Sequence, residues 1–187
     1  LLPDLKGLAR GFLARHPALA VDSEEVILTR LEARLPEISD RVLVEIRERI
    51  PAYRALDDGE IAANVQRLIS GVLAHARTAD RPSRELLDPF EDHAQRRVFD
   101  GVPLAALLEA IHIGARKIIA AVDEELVRAG VPVEGMLEIR DLAWDWANGI
   151  SSAVARLHGE LEEQRVRRER ARRTEFVRSL LAGTYDR

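Results

Sequence analysis

Glu109 and His112 stand three residues apart in a strongly periodic segment. That is the spacing at which helical di-iron proteins present a carboxylate and an imidazole on one face. Such centres need a second Glu-x-x-His pair and two further glutamates; the chain has no second copy, so no metal centre is expected. The other histidines, His16, His75, His93 and His158, are scattered. His75, His93 and His112 are the candidates for a haem axial ligand, which would need a pocket lined by aromatic and aliphatic side chains. With only eight aromatic residues, and no distinctive flanks around these histidines, neither haem nor another cofactor is expected. Asp141, Asp145 and Asn148 share a helix face, and Asp123-Glu124-Glu125 is a local acidic run. Catalytic carboxylates must be desolvated or coupled, so without a sign of burial these are solvated faces. The chain has no phosphate-binding glycine loop, nucleophile elbow or paired-histidine zinc motif, and no cysteine for a thiolate. The expectation is a protein without catalytic residues, not an enzyme.

Three further groups could bind rather than react. Arg116-Lys117 is the adjacent basic pair most available to an anionic ligand, against the alternative of a surface ion pair. Trp144 and Trp146 cannot both face one core, since residues two apart on a helix point to different sides, so one of them is expected at an interface. The stretch Glu162–Phe176 carries Arg165, Arg167, Arg168, Arg170, Arg172 and Arg173, which suggests phosphate binding. Glu162, Glu163, Glu169 and Glu175 are interleaved with them, however, and Glu163→Arg167 and Glu169→Arg173 fall at the favourable i,i+4 spacing. Mixed charge of that kind describes an exposed, self-supporting helix better than a grip on DNA. Upstream, Leu142, Trp146, Ile150, Val154 (or Ala153), Leu157 and Leu161 form a seam that could pair with a partner helix, failing beyond Leu161 at Gln164 and Arg168.

The elements that position these residues are all helical. Asp4 could cap a helix through Leu5, Leu8 and Phe12, ended by His16-Pro17. Asp22 with Glu25 makes a capping-box pair ahead of Val26, Ile27, Leu31 and Leu35. Pro36 should break or restart that helix, and Ile38, Val42, Ile46 and Ile50 form the next stripe, stopped by Pro51. Asp57 and Glu60 repeat the capping box before Ile61, Val65, Leu68, Ile69 and Val72. Ala79–Ser83 is a polar, Pro-containing loop, and Asp88-Pro89-Phe90-Glu91 signals a helix start with the helix ending near Gly101. Leu104, Leu107, Leu108, Ile111, Ala115, Ile118, Ile119, Val122 and Leu126 give one wide buried face, closed by Gly130 and Pro132. From about Glu134 to Ala182 a single long helix is expected, interrupted only by glycines.

At 187 residues, 47% hydrophobic and 32% charged, the chain can bury a core plus an extension. A net charge of -4 argues against a stand-alone nucleic-acid binder. No apolar run of about 18 residues suggests a membrane span, and the absence of cysteine suits a cytoplasmic location. Leu1-Leu2-Pro3-Asp4 has neither an initiator Met nor a basic start, so it reads as neither a natural start nor a signal peptide. The expected organisation is a helical sensor and dimerisation domain over 1–160, with an Arg-rich connector helix over 161–187.

Ile50-Pro51-Ala52-Tyr53 followed by Leu56, the Leu68-to-Ala74 stripe, and Gly101-Val102-Pro103-Leu104-Ala105-Ala106-Leu107-Leu108 continuing to Ile113-Gly114-Ala115-Arg116 together carry a resemblance. They are similar to the N-terminal domain of the RsbT co-antagonist-like type found in PucR/CdaR-type transcription regulators, from about Val26 to Gly183. In that family an Arg-rich helix and a phrase like Phe176-Val177-Arg178-Ser179-Leu180-Leu181-Ala182-Gly183 lead into a GGDEF-like domain and then a helix-turn-helix. The resemblance implies an all-α, globin-like helical bundle without haem and with a long C-terminal connector helix. It implies a sensing, dimerising input without catalysis, reaching DNA only through an absent C-terminal domain. The signal would be a small molecule or a partner protein; a partner-switch module or a haem- or metal-binding sensor is the alternative. Tyr53, His112, Arg116, Trp144 and Trp146 are the candidate ligand or interface residues, although His112 stands where the family more often has Arg or Tyr.

Overall fold

A computed structural model of the chain describes residues 21–78 and 84–181. Helix α1 spans Val21–Ala33, α2 Leu35–Arg49, α3 Asp58–Thr78, α4 Arg84–Phe99, α5 Leu104–Arg128 and α6 Val133–Leu181, with a 3-10 turn at Pro51–Tyr53. Among the described residues there is no strand, and the fold is all-α with a long C-terminal helix. The expected helix from Asp4, the Asp22 cap side chain, the Ala79–Ser83 loop and the exit at Ala182-Gly183 lie outside what is described.

Prolines and glycines divide the chain for local reasons. Pro36 sits in the first turn of α2, where a missing N–H is harmless, and Arg34 alone separates α1 from α2. Pro51 forces Ile50 into extended backbone, at φ −115° and ψ 95°, and so stops α2. Helices α4 and α5 end with the same device. Gly101 and Gly130 adopt φ of 75° and 73°, a region open to glycine without steric cost. The next amide then reaches back to the helix: Val102 N–H to the Arg97 carbonyl at 2.9 Å, and Val131 N–H to the Leu126 carbonyl at 3.0 Å. Val131 also packs on Leu126, the apolar contact that accompanies this kind of helix end.

Two local expectations need correction. Asp57 does cap α3, its Oδ1 accepting the Glu60 N–H at 2.8 Å, but the Glu60 carboxylate does not complete a capping box. It accepts from Arg97 at 3.0 Å and from Asn64 at 3.5 Å instead. Nor does α4 start at Asp88. It begins at Arg84 and carries Pro89 inside. Leu86, buried against Leu142 and Trp146, supplies the tertiary reason for extending the helix ahead of the proline.

The main core joins α2 through α6, with Tyr53, Ile61, Phe90, Leu107, Ile113 and Val154 among its most buried members. Helix α6 lies along α4 and α5. The first part of its seam therefore packs inside the molecule: Leu142, Trp146, Ile150, Ala153 and Val154 are all buried in the chain's own core. Leu157 and Leu161, farther along the seam, are only half-buried, so the part covered by the chain's own helices ends near Val154. From Glu163 to Arg178 every side chain is exposed, about 24 Å of helix outside the core. The pairs expected there are present, Arg167 on Glu163 at 3.0 Å and Arg173 on Glu169 at 2.6 Å.

Candidate functional site

Between α3, α5 and α6 lies a half-open cavity of about 330 Å³, which α1, α2 and α4 also line. Its wall follows α5 through Ala110, Gly114, Ile118, Val122 and Leu126, of which Ala110 and Leu126 are buried and the others half-buried. Helix α3 contributes Ile61, Val65, Ile69 and Leu73, and α6 contributes Leu142, Ala143, Trp146 and Ile150. At Gly114 the wall carries no side chain, and a Cβ added there would find no atom within 4 Å. Among the described residues, no aspartate, glutamate, lysine or arginine lines the cavity, and its polar side chains are Tyr53, His93 and Trp146.

Those three side chains are buried, and each leaves one polar atom without a hydrogen-bond partner among the described residues: Tyr53 Oη, His93 Nδ1 and Trp146 Nε1. Buried polar atoms are nearly always satisfied in folded proteins. Three such atoms on the wall of one cavity mark the places where an occupant could form hydrogen bonds. Both titratable members are neutral near pH 7. Burial, reinforced by Arg97, Arg96 and Arg67, pulls the His93 imidazole down to about 3. Burial pushes the Tyr53 phenol up to about 12, more than the nearby Arg97 guanidinium lowers it.

Ion pairs brace the surroundings. Arg97 is fully buried with its guanidinium 5.9 Å from the centre of the Tyr53 ring, and it donates to Asp100 at 2.7 Å and Glu60 at 3.0 Å. Glu125 is also fully buried; it accepts from Arg34 at 2.9 Å and from Arg128, tying α5 to the α1–α2 joint. Arg34 bonds Glu124 as well, at 2.6 Å, and that contact holds the Glu124 carboxyl below the usual range.

The sequence candidates separate. Tyr53 and Trp146 reach the cavity wall, and Trp146 lies 5.5 Å from the His75 ring in a tilted arrangement. Trp144 is half-buried and is not among the cavity-lining residues. His112 is away from the cavity, in a surface depression with Arg49, Glu109 and Arg116, and its Nε2 lies 3.4 Å from Ser151 Oγ. Glu109 pairs with Arg49 at 3.2 Å rather than converging with His112 on a metal, and no metal-binding cluster occurs among the described residues. Arg116 and Lys117 both engage Glu45, Lys117 at 2.6 Å, and Lys117 foremost holds the Glu45 carboxyl down at about 2. The basic pair is thus committed to an internal carboxylate, the surface ion-pair alternative. Asp123 similarly takes Arg140.

Arg97 was not singled out from the sequence. Glu125, read there within an acidic run on a solvated face, is instead fully buried and paired with Arg34 and Arg128 where the α1–α2 joint packs on α5. A periodic signal existed for both. Phe90, Ala94 and Arg97 fall at i, i+4, i+7, and Ile118, Ala121 and Glu125 at i, i+3, i+7, which places both charges on buried stripes. No described helix is long and apolar enough to cross a membrane. Compared with known proteins, residues 36–173 match a family model described as the RsbT co-antagonist protein rsbRD N-terminal domain. No curated protein and no solved structure matches the chain.

Proposed function

Starting from the fact that this chain belongs to the RsbT co-antagonist protein rsbRD N-terminal domain family, we propose that it is a signal-receiving regulatory domain that performs no catalysis. One observation carries the reading. Helix α6 lines the cavity with Leu142, Trp146 and Ile150, then continues unbroken as exposed helix to Arg178. A change in what the cavity holds acts on the same rigid element that leaves the core. The signal shifts the helix packing only by binding one arrangement better than the other.

In this reading two copies associate through the exposed part of α6, which keeps Val166, Phe176 and Val177 in solvent when a single chain stands alone. The resemblance around Phe176–Gly183 supports placing the domain at the head of a PucR/CdaR-type transcription regulator in the cytoplasm. DNA is then bound by a C-terminal helix-turn-helix beyond a GGDEF-like domain, and not by the Arg-rich segment, where Arg165, Arg167, Arg173 and Arg178 each pair with a glutamate.

The chain has no cysteine, so Thr174→Cys creates one reactive thiol on the exposed helix. Under mild oxidation a covalent dimer is expected. Ala115→Leu, which fills the cavity from α5, should change the rate of its formation. A chain that sediments as a monomer at high micromolar concentration, or a cross-linking rate indifferent to cavity filling, rejects the proposal.

A further inference from the structure

We infer that the cavity takes an uncharged, linear aliphatic molecule with one hydrogen-bonding head group, the head at Tyr53 and His93 and the chain along α5. This rests on the signal-receiver reading and names the class of signal. Shape is the first argument. The lining follows α5 from Ala110 to Leu126, about 24 Å of helix rise. Spread over that length, about 330 Å³ makes a narrow channel and not a round void. A single chain fits such a space; a broad planar ring system does not.

Polarity is the second argument, and it differs between the two ends. Tyr53, Phe90 and Ala110 belong to one packed cluster, and there Tyr53 Oη and His93 Nδ1 are buried without partners among the described residues. At the opposite end Leu126 and Val131 pack with Ile27 and Ile139, and these side chains offer no hydrogen-bonding atom. Trp146 Nε1 is a further unpartnered donor on the wall. A hydroxyl or carbonyl head could accept from the Tyr53 O–H, and a hydroxyl could also donate to an unprotonated His93 nitrogen.

Charge is the third argument. Among the described residues, no lysine or arginine lines the channel to neutralise an anion, and no aspartate or glutamate lines it to neutralise a cation. An isolated ion taken into such a space loses its hydration without compensation. A fatty acid anion is therefore excluded where a neutral alcohol of equal length is accepted.

The test uses the 187-residue chain with Trp144→Phe, which leaves Trp146 as the only indole and a reporter on the channel wall. The probe is 1-decanol, with sodium decanoate at pH 8 and haemin as competing classes. Expected are a saturable change in Trp146 fluorescence and, at about 100-fold excess over Kd, a rise in Tm of about 5–10 °C. Decanoate should bind at least about 10-fold more weakly than decanol. Tyr53→Phe should weaken decanol by about 5–10-fold. Gly114→Leu, directed into open space, should abolish binding while a cooperative melt persists; Ala115→Leu serves if that variant does not fold. Absence of saturable decanol binding, preference for decanoate or haemin, or undiminished affinity in the folded filling variant overturns the inference. Decanol that binds without altering Thr174→Cys cross-linking leaves this inference standing and rejects the signal-receiver reading. Cross-linking that responds to Ala115→Leu while decanol fails to bind does the reverse.

Discussion

Replacing Gly114 by alanine should stabilise the domain although it enlarges a residue in the interior. Gly114 lies mid-way along α5 on the cavity wall, and a Cβ there meets nothing within 4 Å. Two gains coincide. Alanine in a helix interior is favoured over glycine by about 0.8–1.0 kcal/mol, from reduced backbone entropy in the unfolded chain and better shielding of the helix backbone. The added methyl covers some helix surface but has no neighbour within 4 Å, so it contributes less than a fully buried CH₂, which is worth about 0.8 kcal/mol. The sum is about 1–2 kcal/mol, or a rise in Tm of about 2–8 °C for a chain of this size. Gly101→Ala and Gly130→Ala provide an internal control. They too have open space within 4 Å, but their φ values of 75° and 73° disfavour any side chain. Each should cost about 1–2 kcal/mol. Urea unfolding of the three variants reads the difference, provided m is unchanged. A lower midpoint for Gly114→Ala would show that the wall at α5 is closed. A raised midpoint for Gly101→Ala would refute the claim that backbone conformation decides the sign.

Other consequences can be measured on the same protein. His93 is held neutral in the folded state, down to a pKa of about 3, whereas the unfolded chain takes up a proton below about 6.5. Stability from this group is full above pH 6.5 and falls as pH drops toward 3, by up to about 1.4 kcal/mol per pH unit. His93→Leu should flatten urea midpoints measured between pH 4 and 7; an unchanged slope contradicts the assignment. Glu125→Gln keeps the shape but removes a buried charge shared by Arg34 and Arg128, at an expected cost of about 2–4 kcal/mol. Glu124→Gln, on the exposed side of the same cluster, should cost less than about 1 kcal/mol, and equal losses would mean that burial does not rank the two. Glu169→Gln breaks only an exposed pair with Arg173 and should change global stability by less than about 0.5 kcal/mol. A larger loss would show that this part of α6 is packed in solution.

Most of the helical layout was legible because its signals are local. Pro36 and Pro51 act on their own or the preceding residue's backbone, and Gly101 and Gly130 act through one dihedral angle each. The exposed glutamate–arginine pairs of α6 need only i,i+3 and i,i+4 neighbours, so they too could be read directly. The start of α4 could not, because Leu86 gains its burial from Leu142 and Trp146 on a distant segment. Glu60 likewise turned from a cap partner into an acceptor for Arg97, thirty-seven residues away in sequence.

The candidate site shows the same division. Tyr53 and Trp146 were singled out among possible ligand or interface residues, but their meeting with His93 around one space depends on how α3, α4, α5 and α6 pack. An apolar stripe shows that a helix face is buried without naming what covers it. For Leu142, Trp146, Ile150 and Val154 the choice lay between a partner helix and the chain's own α4 and α5, and only packing could decide it. Dihedral preferences and short-range charge thus set the helices and the exposed character of the last one. The tertiary arrangement decided that α6 is both cavity wall and outgoing rod, because burial is a relation between residues far apart in the chain.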